Sequence, residues 1–221
     1  MNNINYSLSL HISLNEKKRS LYRYICGLLA GIMCIIIISS NMSITVSADD
    51  YPKAPDIESG NCILMDADSG IVLYEKNSGE KCYPASVTKL MTALIVAENC
   101  NLGDTLTVSR NAVSSVKYGD AAAGLKTGEE FTVEQALNVM LIKSANDMAY
   151  ALGEYAGGSI ANFANMMNKK AEELGCLNTH FTNASGLTDL NHYTTAYDMA
   201  LICRKVLGYP AIMNAISYNK S

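Results

Sequence analysis

The stretch SVTKLMTALIVAE, residues 86–98, is apolar nearly all round from Leu90 onward. A helix with no polar face must be covered on every side, so this segment predicts a buried helix, with Pro84 just ahead of it. Upstream, CILMDADSGIVLYEKN (62–77) has two β-rich runs flanking Asp66 to Gly70, which predicts a hairpin with Ser69-Gly70 in the turn. Downstream, Thr132 and Gln135 form a T-x-x-Q capping box, and Val133, Ala136, Leu137, Met140 and Leu141 follow at helical spacing. Ser144-Ala145-Asn146-Asp147 then interrupts with residues that favour turns and caps. A second helical pattern runs from Met148 to Tyr155 and stops at Gly157-Gly158. SIANFANMMNKKAEELG (159–175) is amphipathic with Gly175 as its stop, and TTAYDMALICRKVLG (194–208) is a further helix. Helices dominate, one hairpin precedes them, and residues 100–125 show no clear pattern.

The N-terminus has a different character. Lys17, Lys18, Arg19 and Arg23 precede a 14-residue apolar run, Ile25 to Ile38, and Val46-Ser47-Ala48 is a small-x-small site. That is the layout of a secretory signal peptide over residues 1–48. An uncleaved anchor is the alternative, although 14 residues are few for the ~20 that a spanning helix needs. Residues 49–60 contain Pro52 and Pro55 and predict a linker, leaving 61–221 as the folded domain.

The whole chain carries a net charge of −4. Its first 48 residues hold four basic residues and Glu16, so the remainder is near −7. Such an acidic body lacks the electrostatic footprint of a nucleic-acid binder. Cys62, Cys82, Cys100, Cys176 and Cys203 lie beyond residue 48, an odd number with no C-x-x-C pair. This is neither a disulfide framework nor a zinc pattern, and it predicts buried free thiols. His180 and His192 lack metal-ligand spacing, and no G-x-S-x-G elbow is present. His192 is expected to pack or hydrogen-bond rather than to act as a base.

Three short motifs carry the candidate chemistry. S-x-x-K occurs at Ser86/Lys89, Ser114/Lys117 and Ser217/Lys220. S-x-N occurs at Ser39/Asn41, Ser109/Asn111, Ser144/Asn146 and Ser217/Asn219. K-T-G occurs at Lys126-Thr127-Gly128. At i and i+3, Ser86 and Lys89 share one helix face, where a partly desolvated lysine can serve as base for a serine nucleophile. Helix N-terminal N–H groups there can stabilise an oxyanion. Taken alone, the tetrapeptide is better described as an N-capping serine followed by an exposed lysine, and Ser144 and Asn146 as ordinary caps.

The longer segments ILMDADSGIVLYEKN, YPASVTKLMTALIVAE, GEEFTVEQALNVMLIKSANDMAYALGEYAGG and MNKKAEELGCLNTHFTNASGLTDLNHYTTAYDMALICRKVL together resemble the D-alanyl-D-alanine carboxypeptidases, the low-molecular-mass penicillin-binding proteins. The resemblance runs through nearly all of residues 61–208. It implies an α/β (α+β) fold of the serine β-lactamase/transpeptidase type, rich in helix. It implies Ser86 as nucleophile on the D-Ala-D-Ala end of a peptidoglycan stem peptide, Lys89 as general base, Ser144 as proton relay and Asn146 as substrate-binding residue. β-Lactams would acylate Ser86. No cofactor and no metal are implied, and the protein would work outside the cytoplasmic membrane, at the cell wall.

The K-T-G departs from the family pattern, because it precedes the S-x-N rather than following it. Lys126 is therefore expected in a surface turn and not among the catalytic residues. No other K-T-G, H-T-G or K-S-G follows Asn146 before Ser221. The expectation is a C-terminally truncated family member, with the hairpin left short of strand partners. Two alternatives remain at this stage. One is an inactive fragment or non-catalytic wall protein. The other is a class A β-lactamase, for which EELGCLN sets Glu173 one residue too far from Leu177-Asn178 to make an E-x-x-L-N loop.

Overall fold

The computed structural model describes residues 24, 25, 27–29 and 54–217. The chain divides into two units, Met1–Pro55 and Asp56–Ser221. In the first, residues 24, 25 and 27–29 are helical and exposed. The rest of the expected signal segment, and residues 49–53 of the expected linker, lie outside the described residues. Among the described residues no single helix is long and apolar enough to cross a membrane.

The second unit is helix-rich with two small sheets. Strands β1 (Cys62–Met65) and β2 (Val72–Lys76) form the expected antiparallel hairpin. The Asp66 carboxylate accepts the Ser69 N–H (2.8 Å), and Gly70 takes φ 76°, so the chain reverses without strain. A 3₁₀ turn (Ala85–Val87) leads into α1 (Thr88–Asn99). Residues 100–125, which showed no pattern in the sequence, hold β3 (Thr105–Thr107) and the short helix α2 (Arg110–Ser114), and β4 (Glu130–Thr132) follows just ahead of the capping box. β3 and β4 pair antiparallel, a second sheet that the sequence did not announce. Four helices expected from periodicity follow, α3 (Val133–Lys143), α4 (Asn146–Gly157), α5 (Ile160–Glu173) and α6 (Ala196–Val206), and then a short one, α7 (Pro210–Ile216).

Helix starts follow their caps. Thr132 Oγ1 accepts the Gln135 N–H (3.1 Å) and Gln135 Oε1 accepts the Thr132 N–H (2.9 Å), completing the capping box. Ser109, Ser159 and Thr195 cap α2, α5 and α6 in the same way. Ser109 is therefore a helix cap, and Ser114 ends α2, which explains these repeats of the short motifs structurally.

α1 is the centre of the unit. Met91, Ala93, Leu94, Ile95 and Val96 are all buried, and α3, α4, α5, α6 and α7 all pack on this helix. Each large side chain so buried contributes roughly 1.5–3 kcal/mol. The all-round apolar pattern from Leu90 is thus explained by five helical neighbours. Among the described residues β1 and β2 pair only with each other. β1 packs on α6, while Leu64, Ile71 and Leu73 are more than half exposed. Among the described residues the five cysteines are free, and only Cys176 is fully buried.

The segment between α5 and α6 wraps back over the start of α1. The Asp198 carboxylate accepts the Asn178 N–H (2.8 Å) and the Thr179 hydroxyl (2.7 Å), and His180 and Tyr193 form a backbone bridge. His192 ties this wrap to the helix. Its Nδ1 accepts the Thr182 N–H (3.1 Å), which leaves the ring hydrogen on Nε2 to donate to Thr88 Oγ1 (2.9 Å). The ring is buried, and burial pushes its pKa from 6.5 down to about 4.

Because the unfolded chain binds that proton near pH 6.5 and the native state resists it until about 4, stability falls as pH drops through this window. His192 should account for a loss of about 2 kcal/mol between neutral pH and pH 5. In denaturant titrations at pH 7.5 and 5.0, His192→Gln is expected to be less stable at the higher pH and to lack this increment. An unchanged pH dependence in the variant would contradict the assignment.

Candidate active site

The 3₁₀ turn stacks residues i and i+3, and this brings Lys89 onto Ser86. Ser86 is exposed, while Lys89 is 3% exposed. Ser86 is not an N-cap, since no side chain caps either the turn or α1. The capping interpretation of the tetrapeptide is thereby excluded. Ala85, just before the nucleophile candidate, takes φ 48°, a conformation costly for a residue with a Cβ. The Ser86 N–H has no hydrogen-bond partner among the described residues.

Lys89 Nζ sits among three oxygens: Ser86 Oγ at 3.1 Å, Asn146 Oδ1 at 2.7 Å and the Ser185 carbonyl at 2.9 Å. No carboxylate is among them, so nothing offsets the loss of water, and burial pushes the lysine pKa from 10.5 down to about 8. The three oxygens differ in kind. A carboxamide oxygen and a backbone carbonyl accept only, whereas a hydroxyl also donates. A neutral amine spends its two hydrogens on Asn146 and Ser185, and its lone pair then faces the Ser86 hydroxyl. The geometry aims the base by elimination.

Asn146 reaches this cluster from the first turn of α4. The expected break between helices is real: Ser144 takes φ 52° and Ala145 is extended. With Oδ1 committed to Lys89, the Asn146 Nδ2 has no partner among the described residues. It is not sealed from water either, because no buried side-chain nitrogen or oxygen lacks a partner. Ser144 is half-buried, and among the described residues no hydrogen bond joins its hydroxyl to Ser86 or Lys89.

The residue after Asn146 holds the break in shape. The buried Asp147 carboxylate accepts N–H groups from Ala123 (3.0 Å), Gly124 (3.0 Å), Leu125 (3.2 Å) and Met148 (2.9 Å). The Asn146 N–H adds a bond to Ala121 O (2.9 Å). The K-T-G that follows this loop forms a surface turn and makes no hydrogen bond to Ser86, Lys89 or Asn146 among the described residues. Lys126 and Thr127 are exposed, Glu129 N–H bonds to Lys126 O (3.1 Å), and Gly128 takes φ 90° in a turn. Glu173, the residue on which a β-lactamase assignment would rest, pairs with Lys170, which also binds Glu98 (both 2.7 Å). Glu98 is nine residues past Lys89 on α1, so this ion-pair group sits about 13 Å along the helix.

Three contributors escaped the sequence reading. Asn183, Ser185 and Gly186 belong to TNASGL (182–187), which is neither helix nor strand. Gly186 takes φ 86°, and a Cβ there would lie 1.8 Å from Ala85 O. The Asn-x-x-Gly spacing was the available signal, but it reads as any polar turn.

A serine hydroxyl one turn from a buried, carboxylate-free lysine is the chemistry of an acyl-transfer enzyme with an amine base. The chain belongs to the D-alanyl-D-alanine carboxypeptidase family, whose model matches residues 48–221. It is 38% identical over 197 residues to D-alanyl-D-alanine carboxypeptidase DacF of Bacillus subtilis (strain 168), a match covering 86% of this chain and 49% of that protein. Among solved structures it is similar to D-alanyl-D-alanine carboxypeptidase DacD from Francisella tularensis (TM-score 0.71, 32% identity, 78% of this chain and 42% of that one). It is similar also to penicillin binding protein 6B from Escherichia coli (TM-score 0.71, 30% identity, 77% and 57%). The chain spans about half the length of the curated relatives it matches. The α+β serine-peptidase fold expected from the sequence is therefore the fold observed.

Gly186→Ala is expected to displace the Ala85–Ser86 turn and abolish Ser86 reactivity. Gly175→Ala is the matched control, with φ 80° but open space around its Cβ. It should lose only about 1–2 kcal/mol of stability and keep Ser86 reactive. Equal reactivity of the two variants toward a fluorescent penicillin would contradict the close contact.

Proposed function

We propose that this chain carries the acylation centre of a serine D-alanyl-D-alanine carboxypeptidase that trims the terminal D-alanine from peptidoglycan stem peptides. The observation that carries the reading is the Lys89 amine, buried without a carboxylate and aimed at Ser86 Oγ. With a pKa of about 8, roughly one lysine in ten is neutral at pH 7, against about one in three thousand at 10.5. Burial thus raises the supply of free base about 300-fold.

In the proposed reaction neutral Lys89 takes the Ser86 proton as Oγ attacks the carbonyl carbon between the two D-alanines. The C=O electron pair moves to oxygen, which the unpaired Ser86 N–H is placed to stabilise. The C–N bond then breaks, and the leaving D-alanine nitrogen takes the proton held by Lys89, with Ser144 as relay. The Asn146 Nδ2 binds the substrate backbone. Water attacks the resulting ester, the shortened peptide leaves, and Ser86 recovers its proton. β-Lactams enter by the same first step and stop at the ester. Residues 1–48 serve as the export signal in this reading, which places the chemistry at the outer face of the cytoplasmic membrane and the cell wall.

Incubation of the 221-residue chain with benzylpenicillin, followed by intact-mass and peptide mapping, should show one adduct on Ser86. Ser86→Ala should give none, and Lys89→Met should slow acylation by roughly 10²–10⁴-fold. A D-Ala-D-Ala-terminated peptide should release D-alanine with the same dependence. An adduct elsewhere, or labelling that survives Ser86→Ala, would overturn the assignment. No adduct on a folded protein would favour the inert alternative.

A further inference from the structure

The third acceptor of Lys89 is a backbone carbonyl, and its direction is fixed by a peptide plane rather than by a rotamer. In a trans peptide the C=O of one residue and the N–H of the next point in opposite directions. No cis peptide bond occurs among the described residues. The Ser185 C=O that accepts from Lys89 therefore shares its plane with the Gly186 N–H. That N–H donates to Asn183 Oδ1 at 2.8 Å. One face of the peptide is held by Asn183 and the other is presented to the amine.

Asn183 is buried and its carboxamide is fully used. Besides the Gly186 N–H, Oδ1 accepts the Ser185 N–H (3.1 Å) and the Ser185 hydroxyl (3.2 Å), and Nδ2 donates to Leu187 O (3.0 Å). The flanking residues are anchored to the nucleophile side. Thr92 Oγ1 donates to Ala184 O (2.6 Å), and Gly186 abuts Ala85 O. What these anchors leave undetermined is the tilt of the Ser185–Gly186 peptide, and Asn183 sets it.

We infer that Asn183 is a positioning residue for Ser86 acylation: through the Ser185–Gly186 peptide it fixes the carbonyl that directs the Lys89 lone pair toward Ser86. The inference rests on the roles proposed above for Ser86 and Lys89. It goes beyond them by assigning a task to a side chain that touches neither residue. Two other titratable groups adjoin the cluster. His192 is committed to Thr88 and Thr182, and Asp147 to four backbone N–H groups. Among the described residues neither bonds to Lys89, so its protonation reports on its three acceptors and its burial.

Two readouts on the 221-residue chain test this: the second-order rate of Ser86 acylation by benzylpenicillin, and the titration midpoint of Lys89 followed by the NMR shift of its 13Cε. Asn183→Ala should slow acylation at least about tenfold at pH 9, where the lysine is already neutral, because the lone pair loses its direction. It should also lower the Lys89 midpoint, because the ammonium loses an acceptor. Asn183→Asp keeps an acceptor oxygen for the Gly186 N–H. Its second oxygen replaces the Nδ2 donor to Leu187 O, so it should acylate more slowly than the parent but faster than Asn183→Ala, with a midpoint that does not fall. If Asn183→Ala does not fold, Asn183→Ser, which is too short to reach the Gly186 N–H, carries the same expectation. An unmoved Lys89 midpoint in the Ala or Ser variant overturns the inference, whether or not the rate falls. A shifted midpoint in a parent chain that never acylates supports the positioning role and refutes the catalytic reading instead.

Discussion

The organising constraint in this domain is a lysine amine brought into the protein interior without a counter-ion. A buried charge ordinarily finds a carboxylate or gives up its proton. Lys89 finds only neutral oxygens, two that can solely accept and one that can also donate. This shifts the proton balance toward the neutral amine, and it directs the lone pair. α1 has five helical neighbours because its N-terminal turn must present Ser86 to solvent while its next residues seal Lys89 from it. The energy released by burying Met91 to Val96 holds a turn that would not form by itself.

The strain beside the site is local, and both instances have a restraint. Ala85 and Ser144 both take positive φ with a Cβ present, one before the nucleophile candidate and one before the asparagine. Such residues cost about 1–3 kcal/mol each and persist only where the surroundings overdetermine them. Gly186 presses on the Ala85 carbonyl, and the Asp147 carboxylate gathers three N–H groups of the preceding loop beside the Ser144 break. Rigid packing on one side and a cage of backbone donors on the other keep three separate chain segments, 85–89, 144–147 and 183–186, in a single register.

Much of this was legible in the sequence. The all-round apolar pattern after Lys89 announced burial, and burial lowers the lysine pKa. The Thr132–Gln135 box marked the start of α3, and the turn-prone Ser144-Ala145-Asn146 marked its end. The K-T-G, just ahead of that box, was expected in a surface turn, and Lys126 and Thr127 are exposed there. What escaped has physical reasons. β3 and β4 are three residues each, too short for alternation to register, and their pairing joins residues 105 and 132 across a polar loop. Ser185 acts through its carbonyl, which every residue possesses, so no side-chain pattern could single it out. Asn183 acts through that same backbone. The hairpin was foreseen as short of strand partners, and Leu64 and Leu73 on it are exposed.

The central claim is that desolvation, rather than a partner charge, makes Lys89 the base. The pH dependence of the Ser86 acylation rate by benzylpenicillin tests it most directly. The rate should rise tenfold per pH unit at low pH, bend at about 8 and stay level above it. A rate that climbs without a bend to pH 10, or one that does not depend on pH, would contradict the account.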